Sequence, residues 1–270
     1  MRYVNKLDSN KRMIYFFIQK QTMFLKNLFF KNNKNKHLFI LSPPFCGSTL
    51  LSEILSTSNN VSCNNNIGLR EGQHIPEVSK LLFTEDRWDP KKEIDWALIH
   101  SIWNKYWDRS KNILLEKSPP NICRANDIEK QFKDIKFICL IRNPYAQIEG
   151  KIRRHKITPL EAVRLTISYF KMQKENISKL NNVLLINYED LTEKSEIICQ
   201  KIIEFIPEIG YIYSNITSKA HNYKGIKNMS IKNLNKDKID NLTKKQIKEI
   251  NSLLEKEKDL MDFFNYQIIK

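Results

Sequence analysis

Cysteine is scarce in this chain, and its cysteines are not arranged for a disulfide framework or a zinc site. The 270 residues contain five cysteines, an odd number, and no Cys-x-x-Cys pair. Widely spaced, unpaired cysteines are typical of proteins from reducing compartments. We therefore predict a cytoplasmic protein without a metal site, in which Cys46 fills space rather than acting as a nucleophile.

Long hydrophobic runs are absent as well. The most apolar segment, residues 13–30, is interrupted by Lys20 and Lys26. It falls short of the roughly 20 apolar residues that span a bilayer, and it does not end in the small-residue site of a secretory leader. We predict that residues 1–36 form a basic and apolar helical extension of a single domain, residues 37–270. The extension is expected to pack on that domain; peripheral contact of residues 13–30 with an acidic membrane is the alternative, and would make the protein membrane-associated.

Acidic residues are outnumbered. Lysine and arginine total 45 against 30 aspartates and glutamates, which gives a formal net charge of +15. This charge attracts anions of several kinds: nucleic acids, acidic membranes, phosphorylated cofactors and anionic glycans. It does not choose among them, because most lysines of a lysine-rich chain lie on solvated faces. We predict no specific nucleic-acid partner and assign roles only to cations inside motifs.

One segment has the pattern of a phosphate-binding loop. An apolar run at residues 38–41 is followed by two prolines, Gly47 and the hydroxyls of Ser48 and Thr49. A short buried strand, a glycine that admits an anion close to the backbone, and a helix that opens with free N–H groups together predict a phosphorylated ligand. Because Gly47 stands where a Walker motif has lysine, an ordinary P-loop kinase is the weaker hypothesis. We call residues 42–50 the phosphate loop.

Strand and helix patterns alternate along the rest of the chain. Apolar runs predict four strands, each followed by a helical pattern. The runs lie at residues 38–41, 112–115, 136–141 and 183–186. We expect an α/β fold whose central, mainly parallel sheet is flanked by helices on both faces. Residues 61–72 and 223–235 are interpreted as polar connections; for the second segment, closure over the phosphorylated ligand is the alternative. Residues 88–107 are interpreted as containing an aromatic-rich helix that faces the core rather than a sugar-binding cage.

Ligand-binding residues are expected where these strands end, because ligands in open parallel sheets bind beyond the carboxyl ends of the strands. The phosphate loop, Lys117, Arg142 and Tyr188 all fall at such ends. Arg142 offers a planar two-donor fork suited to phosphate, with a structural salt bridge as the alternative. Lys117 is a point charge on a flexible stem that can follow a group in transfer, with a snorkelling lysine as the alternative.

Four segments, in order, resemble the motifs of sulfotransferases that use 3′-phosphoadenosine 5′-phosphosulfate (PAPS). Residues 39–51 are similar to that family's 5′-phosphosulfate loop, and residues 136–144 to its 3′-phosphate strand and loop. Residues 116–120 and 186–191 recur at similar places in the branch that includes tyrosylprotein sulfotransferases and many bacterial members. The resemblance implies a P-loop-like three-layer fold and a single sulfotransferase-like domain over residues 37–270.

The resemblance also implies an activity and a donor site. The activity is transfer of a sulfuryl group from PAPS, as co-substrate, to the hydroxyl of an unidentified acceptor, and it requires no metal. The acceptor is a glycan or other carbohydrate, a lipid or a protein. The phosphate loop would hold the 5′-phosphosulfate through Gly47, Ser48 and Thr49, and Arg142 would hold the 3′-phosphate. The donor-binding candidates are Phe45, Cys46, Gly47, Ser48, Thr49, Leu50, Arg142, Gly150 and Tyr188.

Three further residues are implied as catalytic. Lys117 would steady the bridging oxygen or the sulfuryl group. In the related branch a glutamate downstream of the loop is the base that takes the acceptor proton, and Glu71 is the closest match. His74 is the rival base, because the ordinary pKa of histidine lies nearer neutrality. A solvated loop carboxylate is the alternative interpretation of Glu71.

Two positions depart from the family pattern. Phe45 stands where the loop usually carries Arg or Lys, and Gly150 where a serine often binds the 3′-phosphate. One lost cation costs about 3 kcal/mol of transition-state stabilisation if nothing replaces it. Candidate replacements are Lys117, Arg70, Arg153 and Arg154. A catalytically weak protein of the same fold that binds nucleotides or polyanions is therefore the alternative function.

Overall fold

Short strands build a sheet through the middle of the molecule. The computed structural model describes residues 9–30, 34–223 and 226–269. The strands are β1 (Lys36–Leu41), β2 (Val61–Cys63), β3 (Ile113–Glu116), β4 (Ile135–Ile141), β5 (Val183–Asn187), β6 (Thr217–Tyr223) and β7 (Ile226–Ser230). The central sheet has the order β2-β3-β1-β4-β5 with parallel pairing throughout, and β6 and β7 form a separate antiparallel hairpin.

Helices follow most of the strands, as crossover connections between parallel strands require. They are α1 (Ser9–Phe29), α2 (Ser48–Leu55), α3 (Pro76–Leu82), α4 (Trp96–Trp103), α5 (Ala125–Gln131), α6 (Pro144–His155), α7 (Pro159–Lys179), α8 (Tyr188–Glu193), α9 (Ser195–Phe205), α10 (Asn235–Ile239), α11 (Lys244–Leu254) and α12 (Lys258–Phe263).

Alternating side chains of β1 enter two cores on opposite faces of the sheet. Leu38 and Ile40 are fully buried among residues of α2 and α9. Phe39 and Leu41 are fully buried among residues of α4, α5 and α7. Because both faces are covered, β1 and β4 consist of nearly continuous apolar runs. The predicted α/β class, with a mainly parallel central sheet flanked by helices, is confirmed.

Two segments that were interpreted as connections contain strands. Residues 61–72 begin with β2, which pairs with β3 at the edge of the sheet, so the sheet has five strands where four were predicted. Residues 223–235 include β7 and the first residue of α10. A search for apolar runs misses both strands because β2 has three residues and β7 is largely polar.

One face of α1 packs on the domain. Phe16 is 1% exposed, and its ring meets that of Tyr106 edge to face at 5.9 Å. Gln19 Nε2 donates hydrogen bonds to the carbonyls of Asn64, at 3.1 Å, and Tyr106, at 3.0 Å. The helix therefore packs as expected, whereas the domain boundary at residue 36 stays a prediction. Within the described ranges, none of the helices combines the length and the apolarity needed to cross a bilayer.

The carboxyl ends of four neighbouring strands lie along one edge of the sheet. The phosphate loop follows β1, Lys117 follows β3, Arg142 follows β4, and Tyr188 follows β5. The parallel pairing thereby brings together residues that are up to about 140 positions apart in the chain.

Candidate active site

Gly47 occupies a conformation and a space that suit glycine alone. Its φ is +91°, in the left-handed region, and a Cβ atom there would lie 2.6 Å from Cδ2 of Tyr188. Gly47 immediately precedes α2 and supplies no side-chain cap to it. The first N–H groups of α2 therefore remain available to an anion at the start of the helix, next to the hydroxyls of Ser48 and Thr49.

Two other residues of the phosphate loop have side chains directed into the core. Cys46 is fully buried, and burial raises the pKa of its thiol to about 12, so this cysteine is not a nucleophile near neutral pH. Leu50 packs against the same core. Any contact of Cys46 with a ligand would use its peptide group, because its side chain is fully buried.

Arg142 is buried, and its guanidinium is held by three contacts. Its Nε donates to Oδ1 of Asn235 at 2.7 Å, and its Nη1 donates to the carbonyl of Phe45 at 3.2 Å. The guanidinium lies over the ring of Tyr188, 3.8 Å from the centroid. Its Nη2 is buried and has no hydrogen-bond partner among the residues that the structure describes. A fixed cation with one unsatisfied donor suits an oxyanion such as a phosphate.

Tyr188 supports both the loop and the arginine. Its ring fills the space beside Gly47, and its hydroxyl donates to the carbonyl of Lys232 at 3.1 Å and accepts from the N–H of Leu234 at 3.3 Å. Together with Asn235 on Arg142, these bonds attach residues 232–235 to the site. The sequence left open whether segment 223–235 closes over the nucleotide or only connects two elements; its end contacts Arg142 and Tyr188.

A second cluster lies at the end of β3. Lys117 Nζ is 3.3 Å from Oγ1 of Thr49 and 3.4 Å from Oε1 of Glu71. The other carboxylate oxygen of Glu71 is 3.1 Å from Nε2 of His74. Glu71 thus contacts both of the other predicted catalytic residues, and Lys117 links this cluster to the phosphate loop through Thr49. Lys117 is 2% exposed, which excludes a lysine that snorkels to solvent.

The environment of Glu71 keeps its carboxylate ionised. Burial would raise the pKa of Glu71, but the charge of Lys117 and the hydrogen bonds from His74 and Gln73 outweigh it and lower the pKa to about 2. Glu71 is therefore not a solvated loop carboxylate. In this arrangement it has a low affinity for protons, and both of its oxygens have partners.

Glu116 and Ser118 hold the segment that carries Glu71, a role that the sequence did not reveal. The N–H of Gly72 donates to Oε2 of Glu116 at 3.2 Å, and the N–H of Gln73 donates to Oγ of Ser118 at 3.0 Å. Lys117, between them in sequence, contacts the Glu71 side chain instead. Glu116 and Ser118 thus hold the backbone of residues 72 and 73, while Lys117 between them supplies a cation to Glu71. This division is possible because successive side chains of an extended chain point in opposite directions.

The carboxyl of Glu116 is itself unusual. It is fully buried and accepts a hydrogen bond from Nδ2 of Asn64 at 2.7 Å. Burial raises the pKa of Glu116 to about 7, although hydrogen bonds from Ser118 and Asn64 act in the opposite direction.

The two departures from the family pattern contact each other. The ring of Phe45 packs on Gly150, where an added Cβ would lie 3.0 Å from Cγ of the phenylalanine. Lys151 Nζ and the Arg154 guanidinium are each 6.0 Å from the ring centroid, and the His155 ring meets it edge to face at 5.5 Å. The phenylalanine therefore lies among the basic side chains of α6, and the absence of a side chain at residue 150 leaves room for its ring.

The candidate replacements for the missing loop cation have different surroundings. Arg153 pairs with Glu149 at 2.6 Å, and Arg70 interacts electrostatically with Tyr15 and Cys63. Arg154 lies over Phe45, and Lys117 contacts the loop at Thr49. Lys151, which the sequence did not single out, is fully buried beside Phe45, and burial lowers its pKa to about 7.

The comparison with protein families identifies the family. A model of the sulfotransferase family matches residues 37–208, which is more than half of the chain and contains all the site residues predicted from the sequence. The chain belongs to the sulfotransferase family. The suspected family is thereby confirmed, and an ordinary P-loop kinase is excluded.

Solved sulfotransferases resemble this family member at low sequence identity. The sulfotransferase domain of the Synechococcus PCC 7002 olefin synthase is 17% identical over 83% of this chain and 97% of its own, with a TM-score of 0.52, and shares the fold. The domain from the curacin biosynthetic pathway is 18% identical over 87% and 99%, with a TM-score of 0.49. Mouse sulfotransferase SULT7A1, complexed with PAP, is 15% identical over 92% and 95%, with a TM-score of 0.41. A search of curated proteins finds no match.

Proposed function

We propose that this family member transfers a sulfuryl group from PAPS to an acceptor hydroxyl. The observation that carries the proposal is the state of Arg142: a buried guanidinium, fixed against Phe45, Asn235 and Tyr188, with Nη2 left without a hydrogen-bond partner among the described residues. A phosphate oxygen satisfies this donor, whereas a neutral ligand leaves much of the charge uncompensated.

The residues present fit a nucleotide that carries phosphate at two positions. The N–H groups at the start of α2 and the hydroxyls of Ser48 and Thr49 would bind the 5′-phosphosulfate, and Arg142 would bind the 3′-phosphate. Phe45 connects the two subsites, since its carbonyl accepts from Arg142 while the loop continues into α2. PAPS supplies the activated sulfuryl group.

The proposed reaction breaks the bond between sulfur and the bridging phosphate oxygen and forms a bond between sulfur and the acceptor oxygen. The bisphosphate leaves with the electron pair of the broken bond, and the acceptor proton passes to a base. Lys117, within reach of Thr49 and buried, would stabilise the negative charge that develops on the leaving oxygen. The acceptor is the hydroxyl of a glycan, a lipid or a protein.

Glu71 and His74 divide the work of proton removal. Because Lys117 and two hydrogen bonds keep Glu71 ionised, we assign to Glu71 the orientation of His74 and to His74 the acceptance of the proton. Glu71→Gln should then lower the rate of transfer in part, whereas His74→Asn should abolish transfer while nucleotide binding is kept. Transfer by His74→Asn at close to the wild-type rate would return the role of base to Glu71.

The alternative is a protein that binds the nucleotide without efficient transfer, and Phe45 in place of a loop cation is the observation that favours it. The test is incubation with PAPS carrying radiolabelled sulfate and with separated glycans, lipids and proteins as acceptors. Label transferred by the wild type but not by Lys117→Met supports the enzyme. Tight binding of the bisphosphate without transfer to any acceptor supports the binder.

The five cysteines are free thiols, which suits a reducing compartment such as the cytoplasm.

A further inference from the structure

The outward face of α1 is apolar over most of residues 13–29, with one interruption at the exposed Gln21. Its large hydrophobic side chains on this face are each more than half exposed. They are Met13, Ile14, Phe17, Ile18, Phe24, Leu25, Leu28 and Phe29. At 3.6 residues per turn these positions fall within one half of the helix circumference. Soluble proteins rarely expose so many large apolar side chains on one face of a helix, and such a stripe is typical of an interaction surface.

The inner face of α1 fixes the orientation of this stripe. In addition to Phe16 and Gln19, Asn27 Nδ2 donates to the carbonyl of Trp107 at 3.0 Å, and Lys20 pairs with Glu77 at 2.8 Å. Turning the helix to bury the stripe would expose Phe16 and break these bonds. The apolar face is therefore held outward, where a binding partner or a membrane can cover it.

The charge of the segment around α1 distinguishes between the partners that could cover its apolar face. From residue 9 to residue 36 the chain has no Asp or Glu. Its charged residues there are Lys11, Arg12, Lys20, Lys26, Lys31, Lys34 and Lys36. A second copy of the chain would bring two such basic stretches together at a cost in repulsion, whereas anionic headgroups attract them.

We propose that α1 lies in the surface of an acidic membrane, with its outward face among the acyl chains and its lysines among the headgroups. A helix with one apolar and one polar face, flanked by lysine, binds in this interfacial manner. Lys20 and Lys26 keep more than a third of their side-chain surface exposed while paired, so their ammonium groups can reach the headgroup layer. The inference does not rest on the proposed enzymatic function.

The test is sedimentation of the full chain with vesicles of phosphatidylcholine alone and of phosphatidylcholine mixed with phosphatidylserine. The double variant Phe17→Ser/Leu25→Ser removes two side chains from the stripe. The control Leu165→Ser/Ile197→Ser removes two exposed apolar side chains from α7 and α9. We expect binding to the acidic vesicles that weakens with salt, is unchanged in the control, and falls about tenfold for each side chain removed from the stripe.

Circular dichroism and thermal unfolding establish that each variant is folded. Light scattering of the wild type over a range of concentrations tests whether a second copy of the chain covers the stripe, because it measures the oligomeric state. Absence of binding to acidic vesicles would overturn the proposal, as would equal binding by the stripe variant and the control. A dimer that Phe17→Ser/Leu25→Ser dissolves would assign the face to a second copy of the chain instead.

Discussion

The proposed donor side, around Gly47 and Arg142, and the proposed acceptor side, around Lys117, Glu71 and His74, differ in how many of their polar groups have hydrogen-bond partners. On the donor side, α2 lacks a side-chain cap, and Arg142 has a buried donor without a partner among the described residues. On the acceptor side, Lys117 and His74 each bond to the carboxylate of Glu71. In the proposed function the donor side is thus preorganised for an anion, whereas the side chains of the acceptor side would exchange some of their present contacts when an acceptor binds.

The largest effect should come from removing the cation that joins the two sides. Lys117→Met should lower kcat/KM for sulfuryl transfer by about 100-fold to 1,000-fold, because a preorganised charge at the leaving oxygen is lost. Affinity for the bisphosphate, measured by calorimetry, should change much less. Lys130→Met, at an exposed lysine of α5, is the control. Equal losses of affinity and rate would instead place Lys117 in ground-state binding.

Glu116 tethers the acceptor side, and its titration should be visible in stability. Its pKa rises from 4.5 to about 7 on folding, so its contribution is fully present below pH 4.5 and is lost as the pH rises through about 7. Over that window the free energy of unfolding of the wild type should fall, relative to Glu116→Gln, by about 3 kcal/mol at most. Denaturant unfolding at several pH values measures this difference, and parallel curves for the two proteins would contradict it.

On the donor side, Gly47→Ala should destabilise the protein by about 2 kcal/mol, part from the left-handed backbone and part from the contact with Tyr188. Gly68→Ala is a matched control, because Gly68 also has a positive φ, +59°, but open space around its Cβ position. The difference between the two variants in urea unfolding isolates the contact. If Gly47→Ala costs no more than Gly68→Ala, the ring of Tyr188 does not constrain the loop.

The smallest expected effect concerns the pair that departs from the family pattern. Gly150→Ser should cost about 1 kcal/mol in the wild type, because its Cβ crowds the Phe45 ring, and close to nothing in a Phe45→Ala background. A double-mutant cycle in thermal unfolding measures the coupling between the two positions. Additive effects would show that the two departures are independent of each other.

The features predicted from sequence were those that short-range patterns encode. Strands β1 and β4 are buried on both faces and so appear as continuous apolar runs. Once parallel strands are assigned, the positions of Lys117 and Arg142 at the same edge of the sheet follow from topology. The contact of Lys117 with Glu71 was not predicted, although both were candidates, because side-chain pairing across loops leaves no periodic signal.

Other features depend on contacts between distant parts of the chain. Asn235 bonds to Arg142 and Gly150 packs on Phe45, with about 100 residues between the members of each pair, and single-sequence patterns carry no information on such pairs. The sequence indicated only that Glu116 belongs to a motif. The hydrogen bond from the N–H of Gly72 in the folded chain shows that it holds this backbone. β2 was missed because three residues are too few to establish a period.

Calorimetric titration with 3′-phosphoadenosine 5′-phosphate and with adenosine 5′-phosphate, using the wild type and Arg142→Ala, tests the donor site most directly. We expect the wild type to prefer the bisphosphate about 30-fold or more, because a buried, charged hydrogen bond to the 3′-phosphate is available. Arg142→Ala should lose that preference while still binding adenosine 5′-phosphate. Equal affinity of the wild type for the two nucleotides would contradict the assignment of Arg142 to the 3′-phosphate, and with it the proposed use of PAPS.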